Sequence, residues 1–180
     1  KLLRSARRRG AIDGLAGFWE DDVPLAVDIA KELGLPFHTQ DAARKARSKY
    51  ETRVAMQVAG LPTPVVQRFA IAAKPMKDAP DFAFKLARYE RDVAAARDAF
   101  KAAAAKMKYP AVVKPAFGAA AQGVKKAGNK AEALLAFEEI VKVLVPEIDT
   151  IFAQGADVVF EQYLDGREYD VDLVMYKGEA

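Results

Sequence analysis

Cysteine is absent from the 180 residues, and with it go disulfides, thiolate nucleophiles and zinc–thiolate centres. A reducing compartment is thereby allowed, and the expectation is a soluble, intracellular chain. Histidine occurs once, as His38, in a loop after Pro36-Phe37. One imidazole without a second histidine or a cysteine is a poor metal site, and it is left without a role. No apolar run approaches the roughly 20 residues a membrane helix requires. No charged, then apolar, then small-residue succession opens the chain as a secretory signal would. Charge of one sign is scarce as well: 28 basic and 25 acidic side chains leave +3. That excess is too small to mark a nucleic-acid protein. Repeats at solenoid or propeller periods are missing. Disorder fails as a global description, because 52% of residues are hydrophobic and 29% charged.

What is present alternates short apolar runs with longer helical ones, the habit of α/β proteins. Arg7, Arg8 and Arg9 form a short basic cluster, readable as a solvated helix end or as a contact for phosphate or an acidic partner. The first residue is Lys1 rather than Met, so the chain is expected to begin partway through a longer protein. Residues Ala11 to Trp19 read as a short strand. Glu20-Asp21-Asp22 then offers acceptors, and Pro24 fits the first turn of a helix that ends at Gly34. That helix is expected to bury Leu25, Val27, Ile29, Ala30 and Leu33, as one fragment of a parallel-sheet layer. A helix follows over Asp41–Ala59, with Asp41 as N-cap and Gly60 as terminator. Leu61-Pro62-Thr63-Pro64 is extended, Val65–Ile71 a strand, and Ala73–Pro80 a loop. Alanine dominates from Phe82 to about Met107, predicting a long helix. Pro110–Lys114 reads as a buried strand and Phe117–Val124 as a loop of small residues. Asn129 caps a helix running to about Leu144. Asp157–Glu161 and Glu168–Tyr176 are further predicted strands.

Four features carry chemistry, in this order. Lys49 opens a helix in Ser48-Lys49-Tyr50. Lys114 ends an apolar strand before Pro115, where its ammonium must snorkel or find an anion. A loop bounded by Gly118 and Gly123 follows at once, a backbone able to approach phosphate oxygens and offer several N–H donors. Lastly Glu161 and Glu168 stand seven residues apart around Gln162-Tyr163-Leu164-Asp165-Gly166-Arg167. Each alone has a commonplace reading: a solubilising lysine, a snorkelling one, a hairpin turn, solvated strand ends.

Together these features resemble the ATP-grasp family, over nearly the whole chain. AARKARSKYETRVAMQVAGLPTP is similar to the segment joining that family's first domain to its nucleotide lid. YPAVVKPAFGAAAQGV is similar to the lid's lysine strand and glycine loop, and VVFEQYLDGREYDVDLV to the hinge strand. DGLAGFWEDDVPLAVDIAKELGLP resembles the end of the preceding domain in the amino-acid ligase branch, and EYDVDLVMYKGE looks closest to its carnosine-synthase-like members.

The resemblance implies an α/β chain with an α+β lid, an incomplete ATP-grasp fold. Residues 1–42 would end a Rossmann-like domain preceding the ATP-grasp region. Residues 43–160 would form the lid, with a helical insert at about 74–108, and residues 161–180 the first strands of the catalytic lobe. Lys49 and Lys114 match the two lysines that contact the nucleotide phosphates. The loop of Gly118, Ala119, Ala120, Ala121, Gln122, Gly123 and Val124 matches the flap over the β- and γ-phosphates. Glu161 matches the acceptor for the adenine amino group, with backbone at Gln162, Tyr163 and Leu164 on the ring edge. Glu168 matches the carboxylate on the ribose hydroxyls.

ATP and a small carboxylate and amine are the implied partners, and the reaction proceeds through an acyl phosphate to an amide. Magnesium is implied too. Its ligands and the catalytic residues are expected downstream of Ala180, so Asp165, Asp170 and Asp172 read as the solvent face of a strand. Two departures bear on activity: Ala120 and Ala121 replace the family's usual glycine and serine, and the family's metal ligands in the second lobe are expected beyond Ala180 rather than within these residues. The leading reading is an ATP-binding portion of a carboxylate–amine ligase acting on an amino acid or small peptide. The alternative is an inactive structural or interaction subunit, with the 74–108 insert as a surface for a protein partner.

Overall fold

The computed structural model describes residues 12–19, 22–118, 121–149, 151–152, 155–171 and 173. Three helices come first: α1 (Val23–Leu33), α2 (Gln40–Arg47) and α3 (Lys49–Val58). There follow β1 (Val66–Phe69), the long α4 (Phe82–Ala104), β2 (Ala111–Pro115), β3 (Lys125–Ala127), α5 (Lys130–Val143) and β4 (Val158–Gln162). The strands make one sheet in the order β1-β4-β2-β3, and every pairing is antiparallel.

Alternation along the strands gives the sheet two unlike faces. Phe69, Ala111, Val113, Ala127, Val158 and Phe160 point to one side, and α4 and α5 cover it. Phe100 of α4 sits at the centre of that core, fully buried, with its ring centroid 5.0 Å from Phe69, 4.6 Å from Phe137 and 4.8 Å from Phe160. The opposite face carries Arg68, Glu161, Lys114 and Lys126. Every second residue is thus committed to the core, which places the charged ones together.

Helix α4 packs one face into the core. Its Tyr89, Val93, Ala96, Phe100, Ala103 and Ala104 are buried, and Arg97 is bound through Nε and NH2 to both oxygens of Glu138 on α5, at 2.5 and 2.9 Å. Asn129 caps α5 as the sequence predicts, its side chain accepting from the Glu132 N–H at 3.0 Å. Gly34 ends α1 in the left-handed region, φ 69°.

Several expectations are corrected. Residues 12–19 form no strand, and no parallel pair occurs among the described residues, because an isolated strand has no ladder to join. On α1 the buried residues are Ala26, Val27 and Ala30, while Leu25 is exposed. The predicted helix over 41–59 is two helices, broken at Ser48, and Thr39 rather than Asp41 caps the first. Residues 168–171 and 173 form no strand. The short β3 strand was not predicted: three residues following a glycine loop carry too little pattern to read. The Arg7–Arg9 cluster and the end of the predicted strand at 174–176 lie outside the described residues.

Replacing Phe100 by Ala should lower stability by about 3–5 kcal/mol, because it leaves a cavity among three rings. Urea unfolding measures it, and a loss below about 1 kcal/mol would contradict this account of the core.

Candidate functional site

Ser48 sets the geometry. It is buried, with φ −105° and ψ 115°, and serves two helices at once. Its N–H donates to Lys45 O at 3.3 Å to close α2, and its Oγ accepts from the Glu51 N–H at 3.3 Å to open α3. Thr52 Oγ1 donates to Lys45 O at 2.9 Å across the same break. Serine and threonine side chains satisfy the helix-end groups that a continuous helix would have paired internally. The break lets α3 lie beside the polar face of the sheet, with Lys49 on its first turn.

Lys49 joins the loop after β2 by two bonds. Its backbone N–H donates to Ala116 O at 2.9 Å, and its Nζ donates to Gly118 O at 2.7 Å. Gly118 (φ 107°), Ala121 (φ 56°) and Gly123 (φ 70°) take left-handed backbone within six residues. At Gly123 a Cβ would stand 3.0 Å from Pro115 Cγ, so the return of the loop over Pro115 requires glycine. Gln122 and Ala121 are exposed and Val124 closes the turn, its N–H donating to Ala121 O at 3.0 Å. Ala119 and Ala120 lie outside the described residues.

One turn along α3 from Lys49, Arg53 Nε lies 3.3 Å from Glu161 Oε2. The other oxygen of Glu161 is held by Lys114 Nζ in a close ion pair. The register explains the contact: Val112 pairs with Glu161 and Lys114 with Val159, which makes Lys114 and Glu161 diagonal neighbours on the polar face. Glu161 is 5% exposed. A carboxylate so buried is tolerated because two cations and their hydrogen bonds replace water.

At Gln162 the strand ends. Gln162 N–H donates to Val65 O at 3.0 Å, and Tyr163 N–H to Pro110 O at 3.1 Å. Pro110 has no N–H to return, so the Tyr163 carbonyl has no ladder donor opposite it. Lys126 Nζ sits 3.7 Å above the Tyr163 ring, tying β3 to this exit. Leu164 and Glu168 are exposed, and no contact joins Glu168 to the cluster among the described residues. The structure therefore brings Lys49, Lys114, Gly118 and Glu161 together, with Gln162 and Tyr163 adjoining, and leaves Glu168 apart. Sequence reasoning missed Arg53 and Lys126. The i, i+4 spacing from Lys49 could have revealed Arg53; Lys126 required the unpredicted β3.

A cavity of about 510 Å³ lies on the other side of α3, lined by α1, α2, Arg68 and Phe117. Several of its polar groups are engaged with one another. Glu51 stands 3.6 Å from both Arg44 and Arg68, Gln40 donates to Asp28, and Arg68 reaches Asp157 at 3.7 Å. Asp157 Oδ1 also accepts from the Ile71 N–H at 2.9 Å, and burial pushes its carboxyl above the ordinary aspartate value.

Residues 107–180 match the ATP-grasp domain model. Human (Homo sapiens) carnosine synthase 1 is 28% identical over 182 residues, taking in 98% of this chain and 20% of the enzyme. These similarities support an ATP-grasp domain of the amino-acid ligase branch. An L-amino acid ligase from Bacillus licheniformis superposes with a TM-score of 0.59 at 23% identity, over 92% of this chain and 32% of that one. The biotin carboxylase domain of a Hydrogenobacter thermophilus 2-oxoglutarate carboxylase, in complex with MgADP, gives 0.51 at 18%, over 91% of this chain and 31% of that one. Both superpositions speak for the fold. The chain spans about a fifth of the length of the carnosine synthase, and among its described residues no helix is long and apolar enough to cross a membrane.

Two outcomes test the local chemistry. Ala121→Gly should raise stability by up to about 1 kcal/mol in urea unfolding, since the left-handed penalty on alanine slightly outweighs the entropy glycine adds to the unfolded chain. An unchanged or lower value would place Ala121 elsewhere in conformational space. For Asp157 the raised folded pKa means that the native chain binds the proton more tightly than the unfolded one. Its contribution is therefore fullest below pH 3.8 and is lost as pH rises through the folded value. Asp157→Asn, which keeps an acceptor for Ile71, should gain on the wild type across that window; a gap moving the other way contradicts the assignment.

Proposed function

We propose that this chain is the ATP-binding portion of an ATP-dependent carboxylate–amine ligase that acts through an acyl phosphate on an amino acid or small peptide. One observation carries the reading. Lys49 and Lys114 reach the same polar face from different elements, one at the root of the glycine loop and the other beside Glu161. A triphosphate along that face would meet both ammonium groups and the loop's backbone donors, which offset its charge where water is partly excluded. Glu161 and the backbone of residues 162–164 would read the base, and Glu168 the ribose once a ligand orders the exit. The carboxylate substrate would take the γ-phosphoryl group, and an amine would then displace phosphate to form the C–N bond.

The donor set fits a nucleotide polyphosphate: two lysines, a loop with three left-handed positions, and a neighbouring carboxylate. Magnesium would supply bridging charge to the phosphates. Among the described residues no group of three or more His, Asp or Glu could hold a metal ion, so no residue here is assigned to it. The domain reading is part of the same proposal: residues 43–160 act as the nucleotide lid, with α4 inside its core.

Ala121 favours a second reading. A left-handed alanine in the flap restricts the backbone that must close on phosphate, as suits a subunit kept for its shape.

ATP should raise the melting temperature of the full-length protein, since a ligand of the native state at a hundred times its Kd adds about 2.7 kcal/mol. Lys114→Ala should abolish that rise. No rise in the unmutated protein would leave the structural reading alone.

A further inference from the structure

We infer that Arg53 is a positioning residue of the nucleotide site, holding Glu161 in place as a carboxylate when Lys114 turns to phosphate. The inference rests on the nucleotide reading above and adds a residue that the family resemblance does not assign.

Glu161 is the only acidic residue among the buried ones described, and each of its oxygens has its own cation: Oε1 has Lys114, and Oε2 has Arg53 Nε at 3.3 Å. The two cations differ in what they can do. Lys114 is a flexible point charge at the end of β2, four residues before the loop that would cover phosphate. Engaging phosphate draws it from Glu161. Arg53 is held from behind: α3 fixes its backbone, and NH1 rests 3.9 Å from Met56 Sδ. It lies one turn beyond Lys49, so the bond that docks α3 on Ala116 also sets the reach of Arg53.

Without Arg53, a departing Lys114 would leave a buried carboxylate with no counter-charge. Arg53 also aims Oε2, so its loss leaves the acceptor for an amino group unanchored as Lys114 departs. Loss of Arg53 therefore weakens ATP and erodes preference for a 6-amino over a 6-oxo purine, because the carboxylate no longer meets the amino group in one fixed place.

Calorimetric titration of the full-length protein with ATP and with inosine triphosphate tests this. Arg53→Ala should weaken ATP about tenfold while weakening inosine triphosphate far less, so that the preference narrows. Arg53→Lys should restore most of the preference, because a cation returns to Oε2. In a Glu161→Gln background, Arg53→Ala should cost less than about twofold, since a neutral amide needs no counter-ion. Equal losses for both nucleotides, or the same loss in the Glu161→Gln background, would reduce Arg53 to a scaffold residue and overturn the inference. ATP binding by the wild type that Arg53→Ala leaves unchanged would overturn it too, with the nucleotide reading intact. Failure of the wild type to bind ATP would remove that reading and this one together.

Discussion

A carboxylate is buried on the polar face of the sheet, and the site is arranged around its need for counter-charge. Glu161 sits at 5% exposure between Lys114 and Arg53. Removing one partner from such a buried pair costs roughly 3–5 kcal/mol, more than most single contacts contribute. The cluster therefore fixes the ends of three elements relative to one another: the end of β2, the exit of β4 and the second turn of α3. An apolar residue at position 161 would pack as well and would leave both cations without a reason to converge. The charge is what makes this face a site rather than a second core.

That arrangement depends on backbone decisions some distance away. Phe69, Val113, Val158 and Phe160 are committed to the helix-covered side, and the two-residue period then gives Arg68, Lys114 and Glu161 no choice of face. Slipping β4 by one residue would turn Glu161 into the core of α4 and α5. Ser48 makes the matching decision for α3. By capping one helix and ending another in a single residue, it turns the chain so that Lys49 meets Ala116 and Gly118. The core sets the sheet register, the serine sets the helix, and their meeting point is where Lys49, Arg53, Lys114 and Glu161 lie.

Much of this was legible in the residues. The apolar period around Pro110–Lys114, the Asn129 cap and the alanine-rich helix from Phe82 all have local causes, and all three elements form. Lys114 was identifiable because a charged residue in an apolar strand demands a partner, whereas Lys49 and the glycine loop stood out only through their order along the chain and the resemblance it carries. Other features were not legible, for physical reasons. The break at Ser48 is hidden in a stretch rich in alanine, arginine and lysine, good helix formers, and only the competition of two hydroxyls for backbone groups reveals it. Arg53 looked like one more exposed cation, because its partner is 108 residues away in sequence. The segment 12–19 has the apolar content of a strand but no neighbour among the described residues to pair with. Glu168 has the expected spacing from Glu161, yet the segment that carries it takes no regular form, and spacing alone cannot place a side chain.

The two lysines are alike in sequence and unlike in circumstance. Lys49 donates to the neutral carbonyl of Gly118, while Lys114 is bound to a full negative charge. In the proposed complex, release of Lys49 from Gly118 O would free the root of the flap, because that bond ties the flap to α3. An ammonium leaving a carboxylate for phosphate exchanges one anion for another and gains little by itself. Lys114 supplies position: it can serve phosphate only to the extent that something else neutralises Glu161. Nucleotide affinity at this face is thus governed less by the number of cations than by whether the acid between them keeps a partner.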